Sequence, residues 1–258
     1  MQSGLRRAGR LANRFLGRFN VRLAADGVVV GKGVGRPSHH PNSPEILHKK
    51  ALPGATYAPW LNDTDFVACY EAIKENTMVD LYRCYELWQL GRQQAGIEGV
   101  YLEVGVWRGG TGCLLANRAR GKTVYLADTF TGIVKTSERD TAYSDGTHAD
   151  TSQALVERLA HQLRLENVKI LKGMFPEDTG HLVQGPIALL HCDVDVYASA
   201  KGVVEWAIPR LSRGGVIVFD DYGFSGCEGV TRFVNEIRDS GDFFFVHNLN
   251  GHAILLKR

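Results

Sequence analysis

Two unbroken apolar runs, Ile187-Ala188-Leu189-Leu190 and Val216-Ile217-Val218-Phe219, constrain the fold of this chain more than any other feature. A strand with one face in water alternates apolar and polar residues, so short continuous runs of this kind belong to strands covered on both faces. Comparable strand patterns fall at 99–103, 123–128, 168–172, 187–193 and 215–220, with helical patterns near 110–119, 150–165, 199–211 and 227–239 between or after them. Strand–helix alternation predicts an α/β fold with a mostly parallel, Rossmann-like sheet and helices on both faces. The chain ends differently. Phe243-Phe244-Phe245-Val246 and Ala253-Ile254-Leu255-Leu256 flank Asn250-Gly251, a turn signal, so an antiparallel hairpin closes the sheet. The sheet expected is thus parallel with a single antiparallel hairpin at its end.

The region before the sheet is of another kind. Its first 25 residues hold six arginines and no acid, so the small net charge of +2 combines a basic arm with a mildly acidic body. Leu5, Leu11, Phe15 and Phe19 recur at helical steps with Arg6, Arg10, Arg14 and Arg18 on another face, predicting a basic amphipathic helix over 5–22. Weak membrane-surface contact and packing against another subunit of a homo-oligomer are both open to such an arm. Residues 26–60 hold Pro37, Pro41, Pro44, Pro53 and Pro59, which favours a loop-rich stretch; two amphipathic helices come next, the first capped from Thr64 and the second ending before Gly91. The organisation expected is a basic arm over 1–25, a loop-rich and helical cap over 26–95, and the sheet domain over 96–258. No apolar run approaches the roughly 18 residues of a membrane span. Five scattered cysteines without Cys-x-x-Cys spacing read as free thiols in a cytoplasmic protein. An acidic body argues against a nucleic-acid groove.

Candidate sites gather where predicted strands end, the place at which open α/β sheets bind ligands. Glu103-Val104-Gly105-Val106-Trp107-Arg108-Gly109-Gly110 is a glycine-rich strand-to-helix turn. Its spacing departs from Gly-x-Gly-x-x-Gly, and an acid at the strand end would repel a pyrophosphate. A ligand with a cationic amine and no phosphate suits it better, and S-adenosylmethionine is one. Asp128, at the end of Val124-Tyr125-Leu126-Ala127, is placed to accept ribose hydroxyls or to cap the segment after it. Asp193-Val194-Asp195-Val196-Tyr197 and Asp220-Asp221-Tyr222 put four carboxylates at neighbouring strand ends, where they repel one another unless a cation intervenes. All-oxygen donors suit a hard ion such as Mg²⁺. His191 is expected to point to the opposite side and to pack.

These motifs, with Ala127-Asp128-Thr129-Phe130-Thr131-Gly132, resemble those of the macrocin O-methyltransferase (TylF-like) family, metal-dependent enzymes that methylate sugar hydroxyls of natural products. The resemblance runs from about Tyr57 to the C-terminus and leaves the basic arm without a counterpart. It implies that Glu103, Gly105, Gly109 and Asp128 hold S-adenosylmethionine, that Asp193, Asp220 and Asp221 hold Mg²⁺, and that Asp195 is the general base toward a small-molecule or glycan acceptor bearing a sugar diol. Val194 stands where glycine is common in the family, a change on the acceptor side.

Other readings stay open on the residues alone. Asp193-x-Asp195 also resembles the metal-binding Asp-x-Asp of sugar-nucleotide glycosyltransferases, although that reading leaves Glu103 and the glycine turn unexplained. A nicotinamide dehydrogenase is disfavoured by the glycine spacing, and a methyltransferase for non-sugar hydroxyls or a non-catalytic binding module would keep the same fold. The segment Thr131 to Thr151 is long enough to be a lid over the acceptor or a surface loop.

Overall fold

The computed structural model of the protein describes residues 57–258 apart from residue 141, together with two short strands, Arg22–Leu23 and Val29–Val30, that pair antiparallel. The helix expected over 5–22, apart from Arg22, which is in a strand instead, and most of the loop-rich stretch 26–60 lie outside the described residues. Residues from 57 onward belong to one compact unit, Ala51–Arg258.

Two helices open this unit, α1 (Thr64–Ile73) and α2 (Leu81–Gln93). Asp63, one residue before the expected cap, accepts the Phe66 N–H at 3.0 Å, and Asp80 accepts those of Tyr82 and Arg83 at the start of α2. Strands and helices then alternate: β1 (Val100–Val104), α3 (Gly110–Arg118), β2 (Val124–Asp128), α4 (Gln153–Gln162), β3 (Val168–Lys172), β4 (Ile187–Cys192), α5 (Tyr197–Ala207), β5 (Leu211–Phe219) and α6 (Glu228–Ile237). The hairpin β6 (Phe243–His247) and β7 (Ala253–Lys257) ends the chain. These seven strands form one sheet in the order β3-β2-β1-β4-β5-β7-β6. β1 to β5 are parallel, and β7 runs antiparallel to both β5 and β6, as the apolar runs and the Asn250-Gly251 turn predict.

Side-chain alternation divides the core between the two faces. Tyr101, Leu126, Leu189 and Val218 pack with Phe66, Leu87, Leu114 and Val156 under α1 to α4. Leu102, Tyr125, Leu190 and Ile217 pack with Val203 and Phe233 under α5 and α6. β5 starts at Leu211, earlier than the apolar run alone predicts, because Ile187 pairs with Leu211 but Leu189 with Val216. The intervening residues bulge around Gly214, whose φ is +76°. Among the described residues no helix is long and apolar enough to cross a membrane.

Candidate active site

Parallel strands leave their C-terminal ends at one edge of the sheet, so the chain residues after β1, β2, β4 and β5 converge there. Gly105 makes that convergence close. Its φ is +89°, and a Cβ on it would lie 1.6 Å from the Asp193 carbonyl oxygen, so only glycine allows the turn after β1 to touch the end of β4. Asp128 ties the same turn to β2: its Oδ2 accepts the N–H groups of Val106 (2.7 Å) and Trp107 (2.9 Å), and its Oδ1 accepts that of Phe130 (2.6 Å).

Two cavities open at these strand ends. The first lies over Gly105, Asp128, Val134, Met174, Phe175 and Val194 and is mostly apolar. The second is lined by Arg83, Thr111, Tyr143, Phe224 and Cys227 together with Asp193, Asp195, Asp220 and Asp221. Met78, Trp107, His148, Asp193 and Asp195 border both, so the wall between the cavities contains two of the four acids.

The structure thus brings Gly105, Asp128, Asp193, Asp195, Asp220 and Asp221 to the cavities and leaves two predicted residues away from them. Glu103 is fully buried beneath the turn, where its Oε1 faces His191 Nδ1 at 2.8 Å. Gly109 caps α3 with φ +88°, and a Cβ there would press on Val156.

His191 does not turn away from the acids. It is two residues before Asp193, and its register partners are Glu103 on β1 and Val218 on β5, so strand alternation sets its ring on the sheet face shared by Glu103 and Asp220. Burial alone would lower the His191 pKa, but Asp220 and Glu103 on either side raise it to about 9.

The four acids differ in their surroundings. Burial works against the Asp220 carboxylate, yet His191, His252 and Arg83 hold it well below the usual carboxylate range. Arg83 Nη1 pairs with Oδ2, and His252 Nε2 lies 2.9 Å from Oδ1. Asp193 and Asp221 are less well balanced: burial and the neighbouring carboxylates push both well above the ordinary range, although Asp221 Oδ2 accepts the Asp195 N–H at 3.3 Å and Arg83 acts the other way on it. Asp195 sits at φ +60°, and burial raises its carboxyl to about 6 against the opposing charge of His148. Its Oδ1 is 3.9 Å from Cys227 Sγ, which also approaches Tyr143 Oη at 4.0 Å.

This cluster suits a hard divalent cation. One carboxylate oxygen from each of Asp193, Asp220 and Asp221 falls within 4.8 Å of the others, and the Asp193 carboxylate accepts no hydrogen bond from the described residues. Concentrated, unbalanced negative charge on oxygen donors is the environment such an ion neutralises.

The segment over 131–151 borders both cavities through Val134, Tyr143 and His148. It is held by its own bonds, Ile133 N–H to Thr147 O at 2.8 Å and Gly146 N–H to Ile133 O at 2.9 Å, and by Asp140, which accepts the Tyr197 N–H at 2.9 Å. Arg83, Tyr143, His148 and His252 were not singled out in the sequence, because each lies far along the chain from the acids it meets; Cys227, six residues after Asp221, carried no motif that marked it.

Strand order and the C-terminal hairpin define the class I methyltransferase fold, and solved structures of that class share it. The chain belongs to the macrocin O-methyltransferase (TylF) family, whose pattern matches residues 67–243. It is 34% identical over 160 residues to the mycinamicin III 3''-O-methyltransferase of Micromonospora griseorubida, covering 56% of this chain and 62% of that protein. Over 169 residues it is 30% identical to the demethyldecarbamoylnovobiocin O-methyltransferase of Streptomyces niveus, covering 57% and 62%. The matched stretch is therefore less than two thirds of each of these relatives. The structure of the O-methyltransferase NovP aligns with a TM-score of 0.61 at 26% identity, over 70% of this chain and 82% of that one. CalS11, a calicheamicin methyltransferase, aligns with a TM-score of 0.60 at 16% identity over 81% and 99%, a likeness of fold alone.

Proposed function

We propose that the protein transfers the methyl group of S-adenosylmethionine to a sugar hydroxyl of a glycosylated natural product or glycan, with Mg²⁺ held by Asp193, Asp220 and Asp221 and with Asp195 as the general base. The observation that carries this reading is the shared wall: a mostly apolar cavity and an acidic one meet at Asp193 and Asp195. Methyl transfer is an in-line displacement at a sulfonium, so donor and acceptor must approach from opposite sides of one point. Holding them so is worth on the order of 7–11 kcal/mol.

In this reading the donor occupies the first cavity, and Val194, expected on the acceptor side, borders this cavity and not the acidic one. The Asp128 carboxylate, fixed by three backbone N–H groups, keeps about one of its roughly four acceptor sites, on Oδ1, for a ribose hydroxyl, and Gly105 keeps the floor low enough for the ligand. Glu103 lies beneath, against His191, and borders neither cavity. The acceptor occupies the second cavity. The chemistry that a hard divalent cation supplies there is positive charge beside the acceptor hydroxyl, which eases loss of its proton. Asp195, on the wall between the cavities, receives that proton within hydrogen-bond reach. Met78 and Phe224, both partly exposed at the cavity borders, offer apolar surface to the rest of the acceptor.

Calorimetry with S-adenosylhomocysteine and with a UDP-sugar, each with and without Mg²⁺, separates this reading from a glycosyltransferase. A methyl-transfer screen over deoxysugar and glycan acceptors with mass-spectrometric readout then tests the activity. Binding of the UDP-sugar and not of S-adenosylhomocysteine would overturn the proposal.

A further inference from the structure

At the acid cluster ends a row of buried polar side chains of which only Asp220 is used by the proposed reaction. Glu103 on β1, His191 on β4, Asp220 after β5 and His252 before β7 follow one another across the sheet, and all four are 4% exposed or less. The row crosses four adjacent strands and continues into the helix above them, because His252 Nδ1 lies 2.5 Å from Glu86 Oε2 on α2. Each imidazole therefore has a carboxylate at Nδ1, Glu103 for His191 and Glu86 for His252, while its Nε2 points toward Asp220 Oδ1, at 3.8 Å and 2.9 Å. Carboxylate–imidazole pairs of this form hold a ring in one orientation.

The loop before β7 is docked by the same helix. Asn248 Nδ2 donates to Glu86 Oε2 at 2.7 Å, Asn250 Nδ2 donates to Asp80 at 3.1 Å, and Asn248 Oδ1 accepts the His252 N–H at 3.0 Å. Arg83, one turn before Glu86, reaches Asp220 Oδ2 from the other side. Asp220 is thus fixed by a helix that precedes the sheet and by a hairpin that ends it, two elements that contribute no carboxylate to the cluster.

We propose that His252 and Glu86 are positioning residues for the cation site: they set the orientation of the Asp220 carboxylate and so the affinity of the cluster for a divalent ion. The inference rests on the assignment of Asp193, Asp220 and Asp221 to the metal. Neither residue borders the donor cavity, so donor binding supplies an internal control.

The test is titration of the purified full chain with Mg²⁺, and with Mn²⁺ followed by electron paramagnetic resonance, beside calorimetry with S-adenosylhomocysteine and metal-free melting curves. His252→Ala is expected to weaken ion binding about 10- to 100-fold, the range for residues that support metal ligands, with unchanged S-adenosylhomocysteine affinity. His252→Gln, whose amide can still donate to Asp220, is expected to recover most of that loss. Glu86→Gln, at a partly exposed position, carries the test if His252→Ala fails to fold; it is expected to weaken ion binding by about threefold to tenfold. Wild-type ion binding matched by both His252→Ala and Glu86→Gln would overturn the inference alone. Absence of ion binding by the wild type would overturn the metal assignment and this inference with it.

Discussion

The two halves of the site are built by different means. On the donor side the work is done by backbone: a glycine at φ +89° pressed against a carbonyl, and one carboxylate accepting three N–H groups. On the acid side it is done by side chains from distant elements, with Arg83 and His252 balancing Asp220 while the Asp193 carboxylate accepts no hydrogen bond from the described residues. A backbone site has little freedom to change its residues, whereas a side-chain site can be tuned one residue at a time. Substitutions in the donor half should accordingly disturb stability together with binding, and those in the acid half should separate ion binding from turnover and both from stability.

Gly105→Ala should have the largest effect, because the added carbon would overlap the Asp193 carbonyl and would sit at a positive φ. Backbone on both sides leaves no rotamer to relieve it, and a loss of roughly 3–5 kcal/mol of unfolding free energy is expected. Urea denaturation measures it; a change under about 1 kcal/mol would mean that the two strand ends part easily. Asp195→Asn should leave folding, S-adenosylhomocysteine affinity and ion binding near wild type while lowering turnover by about 10²- to 10⁴-fold, the range for a positioned acid–base group. Near-normal turnover by this variant would remove Asp195 from its role. Chelation of divalent ions should abolish turnover and Mg²⁺ should restore it, with S-adenosylhomocysteine affinity the same before and after.

Asp128→Ala comes next. It deprives three N–H groups of their acceptor, and charged hydrogen bonds contribute about 1.5–3 kcal/mol each when intact. Part of that loss is recovered by water in the open cavity, so S-adenosylhomocysteine binding should weaken by about 10- to 100-fold. Ion binding by the acid cluster should hold, since Asp128 does not border that cavity. A loss of both would mean that the halves are mechanically one.

Legibility in the sequence divides along the same line. Apolar runs mark strands buried on both faces, and a parallel sheet brings their ends together, so Asp128, Asp193 and Asp220 could be placed from pattern alone. The supports of the acid half could not. Arg83 reads as an ordinary helix residue and His252 as part of a turn, and only the packing of α2 over the sheet brings them to Asp220. Glu103 shows the limit of reading a motif by its position. As the last-but-one residue of β1 it faces into the core, and Gly112 on α3, where a Cβ would lie 2.4 Å from Glu103 Oε2, lets the helix close over it. Thr64 and Asp63 differ by one residue as caps because either side chain could accept the orphan N–H groups, and local sequence does not rank them.

The smallest effect is expected where neither half is touched. All five cysteines are buried, Cys69 on the inner face of α1, Cys113 on that of α3 and Cys227 beside the acids. A thiol reacts as its thiolate, and burial raises Cys69 to about 11 and pushes Cys84, Cys113, Cys192 and Cys227 further above the usual thiol value. At pH 8 the folded protein should therefore react slowly with a disulfide reagent, and the denatured chain should release the full complement at once. Cys227 is the informative exception to watch, because it alone among the five borders the acidic cavity. If a single thiol reacts in the native state, mass mapping to Cys227 together with protection by Mg²⁺ would tie its exposure to the acid half. Fast labelling at Cys69 or Cys113 would instead mean that α1 and α3 open readily from the sheet.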